Sequence, residues 1–380
     1  MWVYQLSILN VVFVFTQVPY NSSIIAHENM KVYAYVSLVE VFANLGAVYM
    51  LSFFGIDKLV MYAWMLLAVC VVVKSVYVLY SLRFYPESRL LRLWDRRLMG
   101  EIMAFAGWNM VGSSSVVIAD QGVNILLNQF FNPVVNAARG IAMQVNVAVN
   151  AFAQNFMVAL NPQITKCYGA HDMSRYAMLI LNGARLCSCL IILLSLPLLL
   201  ETDYVLRLWL GEVPDYTLHF VRLVLLFSIS ESFTYTLTTG ILATGRIRRL
   251  QLTVGLMRMM NLPLSYVLLR MGCQPELTFV VAIIVSQVNL FIRLRLVQEH
   301  VSLPIGRFYL HVVVRTLAVA AMVFLCLAAA QSRMPEGALR LVVVTALSFS
   351  LFGAAAFAVV LSSDERSLLV GLIKKYLHRT

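Results

Sequence analysis

The stretch VVNAARGIAMQVNVAVNAFAQN, Val134–Asn155, decides how the chain is read. It is mostly apolar, yet Asn136, Arg139, Asn146, Asn150 and Gln154 recur at steps of three or four residues around Met143. That spacing puts them on one side of an α-helix. What such a helix does with one stripe of amides and an arginine depends on the solvent around it.

Composition names that solvent. The 380 residues are 61% hydrophobic and only 12% charged, with a mean hydropathy of +0.82. A soluble domain is about a quarter charged, so half that share is too little for a surface facing water. Long apolar runs recur from end to end, and the chain reads as an all-α polytopic membrane protein. The formal net charge of +11 resides in short segments between apolar runs, which is the positive-inside pattern and not a nucleic-acid footprint. The six cysteines are scattered, mostly within apolar segments, and read as small buried hydrophobes without a disulfide framework or zinc site. Met1–Val18 lacks a basic n-region and a cleavage site, so it reads as a membrane helix and not a signal peptide.

A spanning helix needs about 20 mostly apolar residues. About eleven fit: 1–19, 32–54, 59–81, 101–129, 134–160, 177–200, 216–243, 249–271, 276–297, 307–330 and 338–362. The segment RFYPESRLLRLWDRR carries Arg83, Arg89, Arg92, Arg96 and Arg97 and marks the cytoplasmic side. The next turn, FFNP, is uncharged; Lys166 and Arg175 follow, then a net acidic loop, then GRIRR, then the unbasic MGCQPE. Arg293, Arg295 and Arg307 surround the following turn, and the end of the chain is basic again. Basic and non-basic turns alternate throughout, and counting back places Met1 outside.

Ionisable residues inside membrane segments are costly and usually face a bundle interior or a wet cavity. The candidates are Lys74, Asp120, Arg139, Glu231, Arg258 and Arg315, with Glu40 and Arg185 nearer the interface, where long side chains snorkel to headgroups. Asp120, Asn124 and Asn128 recur at i, i+4 and i+8 on the fourth segment. The uncharged FFNP turn makes segments four and five antiparallel neighbours, so their polar rows are expected to line one cavity; the competing role is cross-helix hydrogen bonding. The candidate cavity residues are Asp120, Asn124, Asn128, Asn136, Arg139, Asn146, Asn150, Gln154, Glu231 and Arg258. GSSS at Gly112–Ser115 fits close helix packing, and Pro197 and Pro263 are candidate kinks. The histidines have no metal-ligand spacing, and no P-loop, nucleophile elbow, kinase or Rossmann pattern occurs, so neither an enzyme nor a cofactor is expected.

The stretch DQGVNILLNQFFNPVVNAARGIAMQVNVAVNAFAQNFMVALNPQITKCYGAHD (120–172) resembles the seventh and eighth helices of the lipopolysaccharide and polysaccharide flippases of the multidrug/oligosaccharidyl-lipid/polysaccharide exporter superfamily. LRLWLGEVPDYTLHFVRL and ILATGRIRRLQL are similar to segments after that family's ninth and tenth helices, and residues 4–40 to its fourth and fifth. The resemblance implies a two-lobed exporter fold of 12–14 helices. On that plan residues 1–97 are three helices of an N-terminal lobe, 98–300 a six-helix C-terminal lobe, 301–362 two extra helices and 363–380 an amphipathic cytoplasmic tail. Three family helices are then expected upstream of Met1. The implied activity is translocation of an undecaprenyl-pyrophosphate-linked oligosaccharide across the bacterial inner membrane, with membrane lipids and a polysaccharide polymerase or glycosyltransferases as partners. Sugars need amides, and a pyrophosphate needs Arg or Lys. Rival readings are a cation-coupled multidrug exporter, for which Asp120 and Glu231 are the available carboxylates, a polytopic O-antigen polymerase or ligase, and an inactive remnant.

Overall fold

In a computed structural model, residues 2–51, 57–89, 94–301, 304–361 and 366 are described. Among them the chain is helical throughout, without strands. It forms two compact units, Met1–Arg96 and Arg97–Thr380. The first holds α1 (Trp2–Ala26), α2 (Met30–Met50) and α3 (Lys58–Phe84), packed around Ile24, Val36, Val73, Tyr77 and Tyr85. Asp57 caps α3 by accepting from the Leu59 N–H at 3.1 Å.

The second unit opens with α4 (Arg96–Phe130) and α5 (Pro133–Gly169), joined by a turn of two residues. The chemistry of that turn is local: the Asn132 side chain accepts from the Val135 N–H at 3.2 Å, and Pro133 occupies the first helical position, where no donor is missed. There follow α6 (Met173–Leu200), the short α7 (Thr202–Leu210), α8 (Thr217–Ser232), α9 (Tyr235–Ala243), α10 (Arg248–Met259), α11 (Asn261–Arg270) and α12 (Leu277–Gln298). Last come α13 (Ile305–Phe308), a π-turn segment Tyr309–Val314, α14 (Arg315–Gln331) and α15 (Ala338–Ala355), which a second π segment extends to Val360. Ten helical stretches are long and apolar enough to cross a membrane. The 37-residue α5 is long enough as well, but its amide stripe lowers its hydropathy; with it the described residues hold eleven long helical stretches.

The boundaries depart from the sequence reading in several places. Helix α5 continues nine residues past 160 through Pro162. The stretch read as 249–271 is two helices, because Pro263 has no N–H for the Met259 carbonyl, and α10 ends at that residue. The stretch read as 216–243 is likewise two helices, α8 and α9, and α1 runs seven residues past 19 to Ala26. The expected tail 363–380 lies outside the described residues apart from Arg366.

Small residues set the helix spacing in the second unit. A methyl group on Gly112 would sit 1.7 Å from Gln251 Oε1, and one on Gly255 would sit 2.9 Å from Ser115 Oγ. The GSSS segment of α4 therefore meets α10 at close range. Gly183 of α6 and Gly240 of α9 face each other's helices in the same way, against Thr236 and Ile180. These contacts, with fully buried Leu127, Ile180, Ile191, Phe220, Leu237 and Leu290, build one continuous core across the unit.

Candidate functional site

Polar side chains that a water-soluble protein would leave outside converge inside the second unit. Arg139 reaches from α5 to α4: its Nη1 donates to Asn124 Oδ1 and, at 3.3 Å, to the Asp120 carbonyl. Its Nη2 lies 4.0 Å from the Asp120 carboxylate, and the guanidinium stands 5.8 Å from the Phe279 ring. The residue is 5% exposed and its Nε has no hydrogen-bond partner among the described residues. Snorkelling does not describe this side chain, because it is enclosed by protein.

Two and three turns further along α5, Asn146 and Asn150 turn toward α8 and α9. Asn150 Nδ2 donates to Asn146 Oδ1 and, at 3.2 Å, to Ser228 Oγ, while the Tyr235 hydroxyl donates to Asn150 Oδ1 at 2.6 Å. Ser228 Oγ lies 3.1 Å from Asn146 Oδ1. This half of the stripe ties helices together, the role that competed with a cavity in the sequence reading.

A third group surrounds Glu231, which is buried on α8. Arg258 of α10 pairs with it at 3.3 Å, and Ser286 of α12 donates to its other oxygen at 2.7 Å. Ser230 donates to Ser286 at 2.9 Å and accepts from Gln287 at 2.6 Å. Arg293, 6% exposed, stands within electrostatic reach of both Glu231 and Arg258, and its Nε and Nη1 find no hydrogen-bond partner among the described residues.

A cavity of about 120 Å³ joins the first and third groups; Asp120, Arg139, Met143, Asn146, Phe227, Arg258, Asn261, Thr278 and Phe279 line it. A smaller space of about 20 Å³ continues past Asp120 and Arg258 to Glu231, Ser286 and Asn289. Counting Arg139, Arg258 and Arg293 against Asp120 and Glu231, the cluster carries three positive charges and two negative. Taking such charges out of water costs several kcal/mol each, and a carboxylate partner recovers most of it only where one is present. The geometry can therefore accept an anion or a hydrogen-bonding solute beside Arg139 and Arg258.

Of the sequence candidates, Asp120, Asn124, Arg139, Asn146, Asn150, Glu231 and Arg258 belong to this connected network. Three do not join it. Asn128 and Gln154 are exposed and Asn136 is half-buried. The reason is angular drift: each i+4 step advances about 40° beyond a full turn at about 100° per residue. Two such steps carry Asn128 around to the side of α4 opposite Ala119 and Val123, which are buried. Asn136 and Gln154 likewise lie at the margin of α5, well off the buried line of Val135, Ala142, Val149 and Ala153. Lys74 is engaged in the first unit, donating to Thr16 Oγ1 at 2.7 Å over the Phe13 ring, and Arg315 is exposed. Sequence reading missed Arg293, Ser286, Ser228 and Tyr235. The spacing of Ser286, Asn289 and Arg293 on α12, three and four residues apart, was the available signal.

Helix order and packing of this kind are shared with known crystal structures. One described as a MATE P26A mutant aligns with a TM-score of 0.62 at 13% identity, covering 70% of this chain and 61% of that one. A MATE in the straight conformation aligns at 0.67 and 14% identity, covering 79% and 69%; a MATE in the bent conformation at 0.59 and 15%, covering 73% and 62%. The fold is that of a MATE transporter. This chain spans 61–69% of the length of those MATE chains. No family model matches it, and no curated protein matches it by sequence. The likeness is one of fold, an all-helical, multi-pass architecture.

Proposed function

We propose that this chain is a membrane transporter of the exporter superfamily, and that the polar cluster of its second unit handles an anionic, hydrogen-bonding solute such as a pyrophosphate-linked lipid oligosaccharide. The observation that carries the anionic reading is the excess of buried arginine: Arg139 has a partnerless N–H beside a cavity that Arg258 also lines. A guanidinium is the side chain suited to bidentate phosphate recognition, and the amides of Asn124, Asn146 and Asn261 match sugar hydroxyls. The proposed setting is the bacterial inner membrane, with polymerases or glycosyltransferases on either side of the step.

The second reading is a cation-coupled multidrug exporter, and the structural neighbours support it at least as well, since they are MATE proteins. It would use Asp120 and Glu231. Against it stands the engagement of Glu231 by Arg258 and Ser286, which leaves that carboxylate little capacity for a transported cation.

Proteoliposomes holding the full chain separate the two. The anionic reading expects translocation of a fluorescent pyrophosphate-linked oligosaccharide, no uphill efflux of a cationic dye, and rates that fall from wild type to Arg139→Lys to Arg139→Gln at equal protein. Lys keeps the charge but loses the fork, whereas Gln loses both. Dye efflux that follows an imposed ion gradient, with no effect of Arg139→Gln, would establish the second reading instead.

A further inference from the structure

A second cleft in the same unit lies away from the polar cluster. It has a volume of about 940 Å³ and lies between the start of α4, the α9–α10 turn and the end of α12. Its wall is apolar, with Ile102, Phe105 and Trp108 on one side and Ile247 on the other, and Ile102 is 51% exposed. Its rim is basic. Gly245, in the left-handed region at φ +71°, turns the chain so that Arg246 and Arg248 sit at the mouth, both exposed. Arg249 is already held by both oxygens of Glu299 at 3.0 Å, and Glu101 pairs with Arg97 at 3.3 Å. Among the described residues Arg246 and Arg248 have no carboxylate within ion-pair distance. Arg248 lies over the Trp108 ring at 5.2 Å, which presents its charge along the apolar wall.

We propose that this cleft is a binding site for an anionic phospholipid of the bilayer, with the headgroup phosphate between Arg246 and Arg248 and an acyl chain along Ile102, Phe105 and Ile247. The chemistry of the site matches the two ends of that molecule. An exposed apolar trough at a membrane edge is covered by hydrocarbon, and two exposed arginines without carboxylates at its mouth are placed to take an anion. The loop charges place this end of the bundle at the cytoplasmic leaflet, the surface where anionic headgroups attract basic side chains. Nothing in this inference depends on what the transporter carries.

The test uses the purified full chain with equal phosphatidylglycerol and phosphatidylcholine, retained lipid being counted by native mass spectrometry. A phosphatidylglycerol bearing a diazirine in its acyl chain maps the contact. Wild type is expected to retain phosphatidylglycerol preferentially and to take the label on Ile102, Phe105 or Ile247. The double variant Arg246→Gln/Arg248→Gln should lose the preference by roughly fivefold for each arginine removed. Arg246→Lys/Arg248→Lys should keep it, because a headgroup phosphate needs only charge at this distance. If the Gln variant does not stay monodisperse, raising the ionic strength on wild type replaces it, and the preference should fall. Undiminished preference in the Gln variant or at high salt overturns the proposal. So does labelling confined to other helices. Competition by inorganic phosphate without acyl labelling in the cleft would make it a free-phosphate site and overturn it as well.

Discussion

Replacing Glu231 by Gln isolates the electrostatics of the buried cluster, because it removes a charge and almost no volume. In the folded chain Glu231 is 8% exposed, pairs with Arg258 at 3.3 Å, accepts from Ser286 at 2.7 Å and is the carboxylate whose charge acts on the buried Arg293. A glutamine retains an acceptor for Ser286 but turns no negative charge toward the two guanidiniums. Removing one member of a buried pair costs about 3–5 kcal/mol, since the remaining ion keeps its desolvation penalty without its partner. Because Arg258 is 24% exposed at the side chain, water recovers part of its share, and the lower end, about 3 kcal/mol, is the expected loss. That is roughly a hundredfold in the folding equilibrium. Reversible unfolding in mixed micelles, followed by tryptophan fluorescence, reads it directly. Glu231→Gln/Arg258→Met should recover a large part of the loss by removing one of the stranded charges. An unchanged midpoint for Glu231→Gln would show that Arg258 and Arg293 are not held by this carboxylate, and the account of the cluster would then fail.

Three further outcomes follow from the same geometry. Tyr235→Phe removes the donor to Asn150 Oδ1 at 2.6 Å and should cost about 0.6 kcal/mol and no more than about 2, the range for cross-helix hydrogen bonds in membranes, in the same unfolding assay. Gly183→Ala places a methyl 2.5 Å from Leu160 Cδ2 and 2.7 Å from Thr236 Cγ2; Thr236 is fixed by its bond to the Ile180 carbonyl at 3.0 Å, so the change should destabilise by about 1–3 kcal/mol, whereas Gly140→Ala, with nothing near, should not. Arg340→Gln strands Glu201, whose side chain is 0% exposed and which Arg340 holds at 2.8 Å, and should cost about 3–5 kcal/mol while raising protease sensitivity around α15.

Much of the architecture was readable without coordinates because each signal is local. Twenty-residue apolar runs specify helices in a solvent that satisfies no backbone group, so their count and approximate ends follow from composition. The tight FFNP turn and the close approach at Gly112 were equally visible, since turns and small residues act locally. The amide stripe of α5 was legible as a row on one helix face. Its division was not readable, because which neighbour each residue meets is set by helices far apart in sequence. Asn150 meets Ser228 and Tyr235, 78 and 85 residues away, and so serves packing, while Arg139 meets Asn124 and Asp120 across a two-residue turn and borders the cavity. Arg293 shows the same limit more sharply. Near the end of an apolar run it looks like an interfacial arginine that reaches water. Only the packing of α12 against α8 and α10 encloses it beside Glu231, where a charge that water would have screened becomes part of a buried cluster.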